Sequence, residues 1–351
     1  MSFEEITREE LQLAARNHGM PLEVLRWPVT PVGMHYLLIH YDIPLVGDDW
    51  TLTVDGNVGT AVTLTLDELR ALPAHEVVAT MECAGNGRAR YAPRPLSQPW
   101  LDEAIGTGRW RGARLRDVLD RATPRDGAVE VLFTGLDRGI EGGEEQDFQR
   151  SLPLDLARDE DVILAYDLNG APLPPQHGSP LRLLVPGWYG MTNVKWLARI
   201  TLVDEPFRGY QQARGYHFRA DEDDPGVPLQ RILPRALMVP PGIPDFMTRG
   251  RTVDAGRVRL EGRAWSGHAP IETVDFSADG GGSWTPAQLE TDELGRWAWR
   301  GWSYEWDAAP GEHMLACRAR DAAGNEQPLE PAWNVGGYAN NAVQRVPVSV
   351  R

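Results

Sequence analysis

Lysine is almost missing from this chain: of 35 basic residues, Lys195 is the single Lys and every other is Arg. Cysteine is nearly as scarce, with only Cys83 and Cys317, which excludes a disulfide framework and points to reduced thiols. No apolar run approaches the roughly 18 residues that a membrane-spanning helix needs. The opening MSFEEITREE has neither the basic start nor the apolar stretch of a secretory leader. No membrane insertion and a cytoplasmic location are therefore expected. Positive charge is in deficit, since 50 acidic residues against 35 basic leave a net charge of −15. Such a field repels phosphate backbones, so nucleic acid is not an expected partner. What is present excludes extensive disorder: 42% of the 351 residues are hydrophobic, enough for two domains.

Capping boxes punctuate the first part of the chain. Thr7-x-x-Glu10 precedes Leu11, Leu13, Ala14 and Ala15 and predicts a short helix. Thr65-x-x-Glu68 predicts a second, carrying Leu66, Leu69 and Leu72 and stopped by Pro73. Between them Trp50, Leu52 and Val54 alternate toward Asp55-Gly56, as a strand entering a hairpin does. Residues 76–82 read as a strand ending at Cys83-Ala84-Gly85-Asn86-Gly87. A helical pattern covers 114–122, and strands are expected over 129–133, 162–166, 181–185 and 194–200. Mixed elements without a regular βαβ alternation predict an α+β domain.

From Asp221 the composition changes. Asp221-Glu222-Asp223-Asp224-Pro225-Gly226 is acidic, and Pro240-Pro241-Gly242-Ile243-Pro244 is stiff, so both read as interdomain connection. Beyond residue 250 come short alternating segments, with turns at Asp279-Gly280-Gly281-Gly282 and Asp321-Ala322-Ala323-Gly324-Asn325. Seven of the 13 Trp lie between Trp265 and Trp333, the pattern of an immunoglobulin-like sandwich with Trp in its core. Cys317 alternates as a strand residue and belongs to that core. The expected organisation is an N-terminal arm with a short helix over 1–32, a catalytic domain over 33–225, a Pro-rich connection over 226–250 and the all-β sandwich over 251–351.

A strand ending in Cys83, followed by Gly85 and Gly87, sets a thiol where bare backbone lets a large group approach. Between Arg88 and Arg116 there are seven Arg and two acidic residues. Positive charge near a thiol favours thiolate, the form that ligates metal or attacks an electrophile. Residue types alone leave open a structural cysteine, a metal ligand, or the nucleophile of a cofactor-free hydrolase paired with His40 or His177.

Met81-Glu82-Cys83-Ala84-Gly85-Asn86-Gly87-Arg88 resembles the cysteine loop of the sulfite oxidase family of molybdenum enzymes. Further segments follow that family's order: Tyr36-Leu37-Leu38-Ile39-His40, Gly135-Leu136-Asp137, Ala165-Tyr166-Asp167-Leu168-Asn169-Gly170, His177-Gly178-Ser179-Pro180-Leu181-Arg182 and Asn193-Val194-Lys195-Trp196-Leu197. In the second domain, Ala264-Trp265-Ser266-Gly267, Asp279-Gly280-Gly281 and Trp284 are similar to the family's dimerisation domain. The resemblance implies a mixed α/β molybdopterin-binding domain followed by an immunoglobulin-like domain, with one molybdenum-molybdopterin cofactor per chain. Cys83 would be the protein thiolate on the metal. Tyr36, His40, Asp137, His177, Arg182, Asn193, Val194 and Lys195 would hold the pterin and its phosphate. A lone Lys in an otherwise all-Arg chain suits that role, because a compact ammonium and a planar guanidinium are not interchangeable in a tight phosphate site. His18, His35, His75, His217, His268 and His313 receive no role.

The resemblance also assigns catalytic positions. Arg88 matches a substrate-pocket arginine, Tyr216 in Arg214-Gly215-Tyr216-His217 the active-site tyrosine, and Trp100 the pocket tryptophan. Two pocket arginines of the family are replaced, by Leu38 two residues before His40 and by His268-Ala269-Pro270 after Ala-Trp-Ser-Gly. Each lost charge-assisted contact is worth about 1.5–3 kcal/mol where desolvated, with His268, Arg214 and Arg219 as possible replacements. The expected activity is oxygen-atom transfer, oxidising sulfite or a related small anionic substrate, with electrons passed to an external acceptor, a cytochrome or a small molecule. No haem-binding motif is present, so no haem is expected, and the sandwich implies a homodimer. The alternatives are a less charged S- or N-oxide substrate, the cysteine hydrolase, and a binding module on a decayed fold.

Overall fold

Thr7 and Thr65 each accept from the third backbone amide of the helix that follows, and Glu10 and Glu68 reach back to the capping amides. Both expected helices form as a result, at Arg8–Arg16 and Leu66–Arg70. The computed structural model describes residues 6–291 and 294–351, so the first five residues of the expected arm lie outside the described residues. No described helix is long and apolar enough to cross a membrane.

The first domain is built on two sheets. One orders Val62–Thr65, Thr51–Gly56, Leu197–Val203, Glu130–Glu141 and Glu144–Pro153, with a single parallel pair between Thr51–Gly56 and Leu197–Val203. The other orders Ala74–Glu82, Ile105–Arg114, Ile163–Leu168 and Ala171–Pro172, with Arg182–Leu184 also paired to Ile163–Leu168. The short helix Leu115–Ala122 buries Leu115, Val118, Leu119 and Ala122 between them, following its apolar spacing. Ile163–Leu168 is buried along its whole length, which explains its apolar run Ile163–Tyr166, and Asp167 within it is paired with Arg70 and Arg111.

The second domain packs a four-stranded sheet (Arg235–Met238, Gly256–Trp265, Arg300–Ala308, Gln288–Leu289) on a six-stranded one that includes Gly311–Asp321 and Gln344–Val350. Trp302, Trp306 and Cys317 fill its core, as expected of the Trp-rich segment. Trp265 and Trp299 instead join the hydrophobic core of the first domain.

Two expectations change. Residues 226–250 are not a free connection: Arg235–Met238 forms an edge strand of the sandwich, and Ile243–Pro244 pairs with Arg251–Val253. Proline-rich flanks permit such edge strands because the missing amide faces away from the ladder. The arm packs on the domain through Met20, Val24 and Leu25, which are buried in the core, and the Thr30 amide donates to the Thr107 carbonyl. The last strand starts at Leu197 rather than 194, because Asn193 ties the preceding backbone into a turn. Its Oδ1 accepts from the Val185 amide, and its Nδ2 donates to the Tyr189 carbonyl.

Candidate active site

Cys83 is the first residue past Ala74–Glu82, held by its amide on the Ala104 carbonyl and by the Asn86 amide on its own carbonyl. Two cavities meet at its side chain, an inner one of about 600 Å³ and an outer one of about 730 Å³. Leu38, His40 and Tyr216 also line both.

The inner cavity gathers Tyr36, His40, Asp137, His177, Arg182, Asn193 and Lys195 from distant parts of the chain. Irregular backbone brings several of them there. Asp137 sits where the pairing of Glu130–Glu141 with Glu144–Pro153 shifts register between Thr134 and Arg138, and such an irregularity re-aims a side chain. His177 ends a short 3-10 turn capped by Gly178 at φ 103°. A Cβ on Gly178 would stand 2.9 Å from Lys195 Cβ, so this close approach needs glycine. Val194 is the exception: it is fully buried in the hydrophobic core and does not line the cavity.

Lys195 Nζ donates to the Leu38 carbonyl at 2.9 Å and the Gln176 carbonyl at 3.4 Å, and lies 4.2 Å from the Trp196 ring centre. Burial lowers the Lys195 pKa and raises that of Asp137, while their mutual attraction opposes both shifts. Burial also holds His40 down at about 3 and His35 at about 4, so both rings are neutral near pH 7. Arg182 donates to the His177 and Asn193 carbonyls and lies 4.9 Å from the Trp110 ring centre.

Whether this cavity fits a phosphorylated pterin can be judged from its polar atoms. Asp137 Oδ1 and Arg182 Nε are buried with no partner among the described residues, an unfavourable state unless something else bonds them. Ring N–H groups would satisfy the carboxylate, and an anion would satisfy the guanidinium and ammonium. Cys83 offers a soft sulfur donor suited to molybdenum. The donor set fits the expected group.

The thiol differs from the expectation in one respect. Arg88, the Gly85 amide and Trp100 favour thiolate, but burial outweighs them and pushes the Cys83 pKa up. Neither histidine of the hydrolase alternative activates it: among the described residues His40 bonds Tyr216, and no His bonds the thiol.

Arg88, Trp100 and Tyr216 line the outer cavity with Cys83. Tyr216 is held at φ 53°, a left-handed conformation uncommon for a bulky residue, and its hydroxyl hydrogen-bonds His40 Nε2. Arg88 is buried, with Nε on the Gly336 carbonyl at 3.0 Å and Nη1 on the Gln98 carbonyl at 3.0 Å. Leu38 stands in the wall, and Arg16 lines the same cavity with Nη2 on the His40 carbonyl at 3.4 Å. His268, Arg214 and Arg219 line neither cavity, so they do not replace the missing arginines. The 266–270 turn is also misassigned to the pocket: Pro270 borders a separate crevice with Arg296 and Arg300.

Sequence reasoning missed His35 and Gln176 in the inner cavity, and Tyr338, Arg16 and Glu141 in the outer one. His35 adjoins Tyr36 in the quoted motif, a signal that was available. Nothing local marks Tyr338, which arrives from the second domain.

Comparison with known proteins agrees with this arrangement. Residues 40–211 match the family model described as oxidoreductase molybdopterin binding domain, and residues 243–351 that described as Mo-co oxidoreductase dimerisation domain. The chain is 37% identical over 341 residues to mitochondrial sulfite oxidase of Rattus norvegicus, covering 92% of this chain and 62% of that one. It is also 37% identical over 336 residues to sulfite oxidase of Gallus gallus, covering 90% and 72%. NADH nitrate reductase of Lotus japonicus is 32% identical over 356 residues, covering 92% and 39%. The chain thus spans under two thirds of the length of the mammalian relatives. Among solved structures, the sulfane dehydrogenase SoxCD from Paracoccus pantotrophus superposes with a TM-score of 0.79 at 25% identity, covering 95% of this chain and 86% of that one.

Proposed function

The chain belongs to the sulfite oxidase family of molybdopterin-dependent oxidoreductases, and from that premise we propose that it catalyses oxygen-atom transfer at a small sulfur-centred substrate. The observation that carries this reading is the position of Cys83, where a cavity with unpaired polar atoms meets one lined by Arg88, Trp100 and Tyr216. When bound, the cofactor supplies the two-electron redox change and the oxygen exchange.

The chain's own residues do the rest. Cys83 would hold the metal as thiolate, since a coordinated thiol is deprotonated. Asp137, Arg182 and Lys195 would hold the pterin and its phosphate, with His177, Tyr36 and Asn193 completing the wall of the cavity. In the outer cavity Tyr216 keeps its proton, because burial raises its pKa, and neutral His40 fixes the hydroxyl's direction. Arg88 and Trp100 bound the space for substrate.

Sulfite is the substrate that the similarity to sulfite oxidases supports. Its oxidation consumes water and yields sulfate, two protons and two electrons, which leave for an external acceptor, a cytochrome or a small molecule. A second reading, a less charged S- or N-oxide, draws support from Leu38, an apolar residue in the wall of the outer cavity. A homodimer through the second domain is part of the proposal, and the exposed Ile243, Phe246 and Met247 offer apolar surface for it.

The test is sulfite-dependent reduction of an artificial one-electron acceptor, expressed per molybdenum atom. Turnover that vanishes in Cys83→Ser supports the reading. Full molybdenum-dependent turnover in that variant would falsify the ligand assignment.

A further inference from the structure

The first helix of the chain ends against the outer cavity. Arg8–Arg16 is anchored near its start by Glu10, which is buried and paired with Arg94. Just past its end Asn17 Nδ2 donates to Gln98 Oε1 at 3.0 Å, and Asn17 Oδ1 accepts from the Ile39 amide at 2.8 Å. His18 and Leu37 then exchange two backbone hydrogen bonds, at 3.1 and 2.8 Å, as an antiparallel pair.

These contacts set a register. His18 opposes Leu37, Asn17 holds Ile39, and Arg16 falls at His40, where its Nη2 donates to the carbonyl at 3.4 Å. Leu13, one turn earlier on the same helix face, lines the outer cavity with Arg16. Leu38 brings no charge to this wall, and the helix brings one from 24 positions before His40.

That charge is available. Among the described residues Arg16 has no carboxylate partner and no acceptor besides the His40 carbonyl. Arg88 is buried and Arg16 is exposed, so one cation lies inside the cavity and the other at its mouth. Arg88 keeps both Nη2 hydrogens and one on Nη1 beyond its bonds to the Gly336 and Gln98 carbonyls. Glu141 is the one carboxylate among the described residues of this lining, and it is engaged by the Tyr41 hydroxyl and by Gln211 Nε2. Two guanidinium groups against one carboxylate tilt the lining toward positive, in a chain of net charge −15. A local potential of that sign draws small anions in against an overall repulsive field.

We propose that Arg16, delivered by the N-terminal helix, is a specificity-determining residue of the outer cavity, and that with Arg88 it selects a small oxoanion for the space beside Cys83. This rests on the oxygen-atom-transfer reading and names the group that chooses its substrate.

The test uses the cofactor-loaded protein and sulfate, a fully oxidised and therefore unreactive oxoanion, in calorimetric titrations. Arg16→Gln should lose about tenfold in sulfate affinity, while Arg16→Lys should keep most of it. Both variants should melt with wild type, because the side chain is exposed. An exposed charge is screened by salt, so raising NaCl from about 20 mM to about 200 mM should weaken sulfate binding more in wild type than in Arg16→Gln. Absence of sulfate binding in wild type overturns the proposal. So does an affinity, or a salt dependence, that Arg16→Gln leaves unmoved, and so does an equal loss in Arg16→Lys, since charge would then not be what counts. Sulfite kinetics separate this assignment from the reading it rests on. Arg16→Gln should raise KM for sulfite about tenfold with kcat within about twofold of wild type, and a fall in kcat at unchanged KM overturns the proposal. No sulfite turnover at full molybdenum content, with the sulfate pattern as expected, removes oxygen-atom transfer to sulfite and leaves Arg16 as the anion-selecting residue.

Discussion

Arg235, in the first strand of the sandwich, donates through Nη1 to Oε1 of Glu82, the residue before Cys83, at 2.7 Å, and both side chains are almost wholly buried. Arg235 Nη2 reaches Asp102 at 2.9 Å, Trp265 Nε1 reaches the other Glu82 oxygen at 2.9 Å, and Asn86 Nδ2 donates to Glu82 at 3.0 Å. The second domain therefore holds the end of the strand that presents the cysteine.

Replacing Arg235 by Met leaves the Glu82 carboxylate buried without a cation and leaves Asp102 to Arg90. Breaking such a pair from one side costs about 3–5 kcal/mol. Urea unfolding of Arg235→Met should show that loss, with molybdenum per chain falling in parallel because the cysteine loop loses its support. A loss below about 1 kcal/mol would place the pair among those of little net worth.

Lys195→Arg should empty the inner cavity of cofactor while leaving the fold intact. The ammonium donates to two carbonyls, a geometry that a planar guanidinium does not reproduce. Released pterin per chain, read by fluorescence after denaturation, should fall at least about tenfold. Asp137→Asn should fall comparably, since the partnerless oxygen loses its charge. Wild-type pterin content in Lys195→Arg would remove Lys195 from the cofactor site.

Tyr216→Phe keeps the ring beside Tyr338 but deletes the hydroxyl that His40 holds. We expect kcat to fall by about 100-fold, with molybdenum content and melting temperature close to wild type. An unchanged kcat would leave Tyr216 a packing residue.

Buried histidines make the protein acid-sensitive. His35 and His40 ordinarily titrate at 6.5 but are held to about 4 and 3 in the fold, so below pH 6.5 the unfolded chain binds more protons than the folded one. Their contribution is fully present above pH 6.5 and is lost as pH falls toward the folded values. The urea midpoint of the cofactor-free protein should drop between about pH 6.5 and pH 4.5, and His35→Gln should flatten that drop. Parallel pH profiles for the two proteins would show that His35 does not contribute.

The parts of the fold that were readable were decided within a few residues. A capping box is closed by side chains three positions apart, so Thr7-Glu10 and Thr65-Glu68 mark their helices without outside help. The apolar run ending in Cys83 likewise shows its strand, and Tyr36, His40, Asp137, His177, Arg182, Asn193 and Lys195 line one cavity. Where the answer lay in burial, local reading failed. Seven nearby arginines suggested a thiolate at Cys83, but desolvation outweighs them. Pro270 looked like a lost pocket arginine only because its distance from Cys83 cannot be seen in one dimension.

The sequence by itself determined the order of the motifs, the two-domain plan and the chemistry of the inner cavity, because those depend on residue type and local spacing. Only the tertiary structure decided how Arg88 is used. Its partners Gly336 and Tyr338 come from the second domain, and contacts between segments so far apart in the chain carry no periodic or motif signal. The same folding sets Arg235 against Glu82, since a buried charge is held by whichever partner packing brings to it.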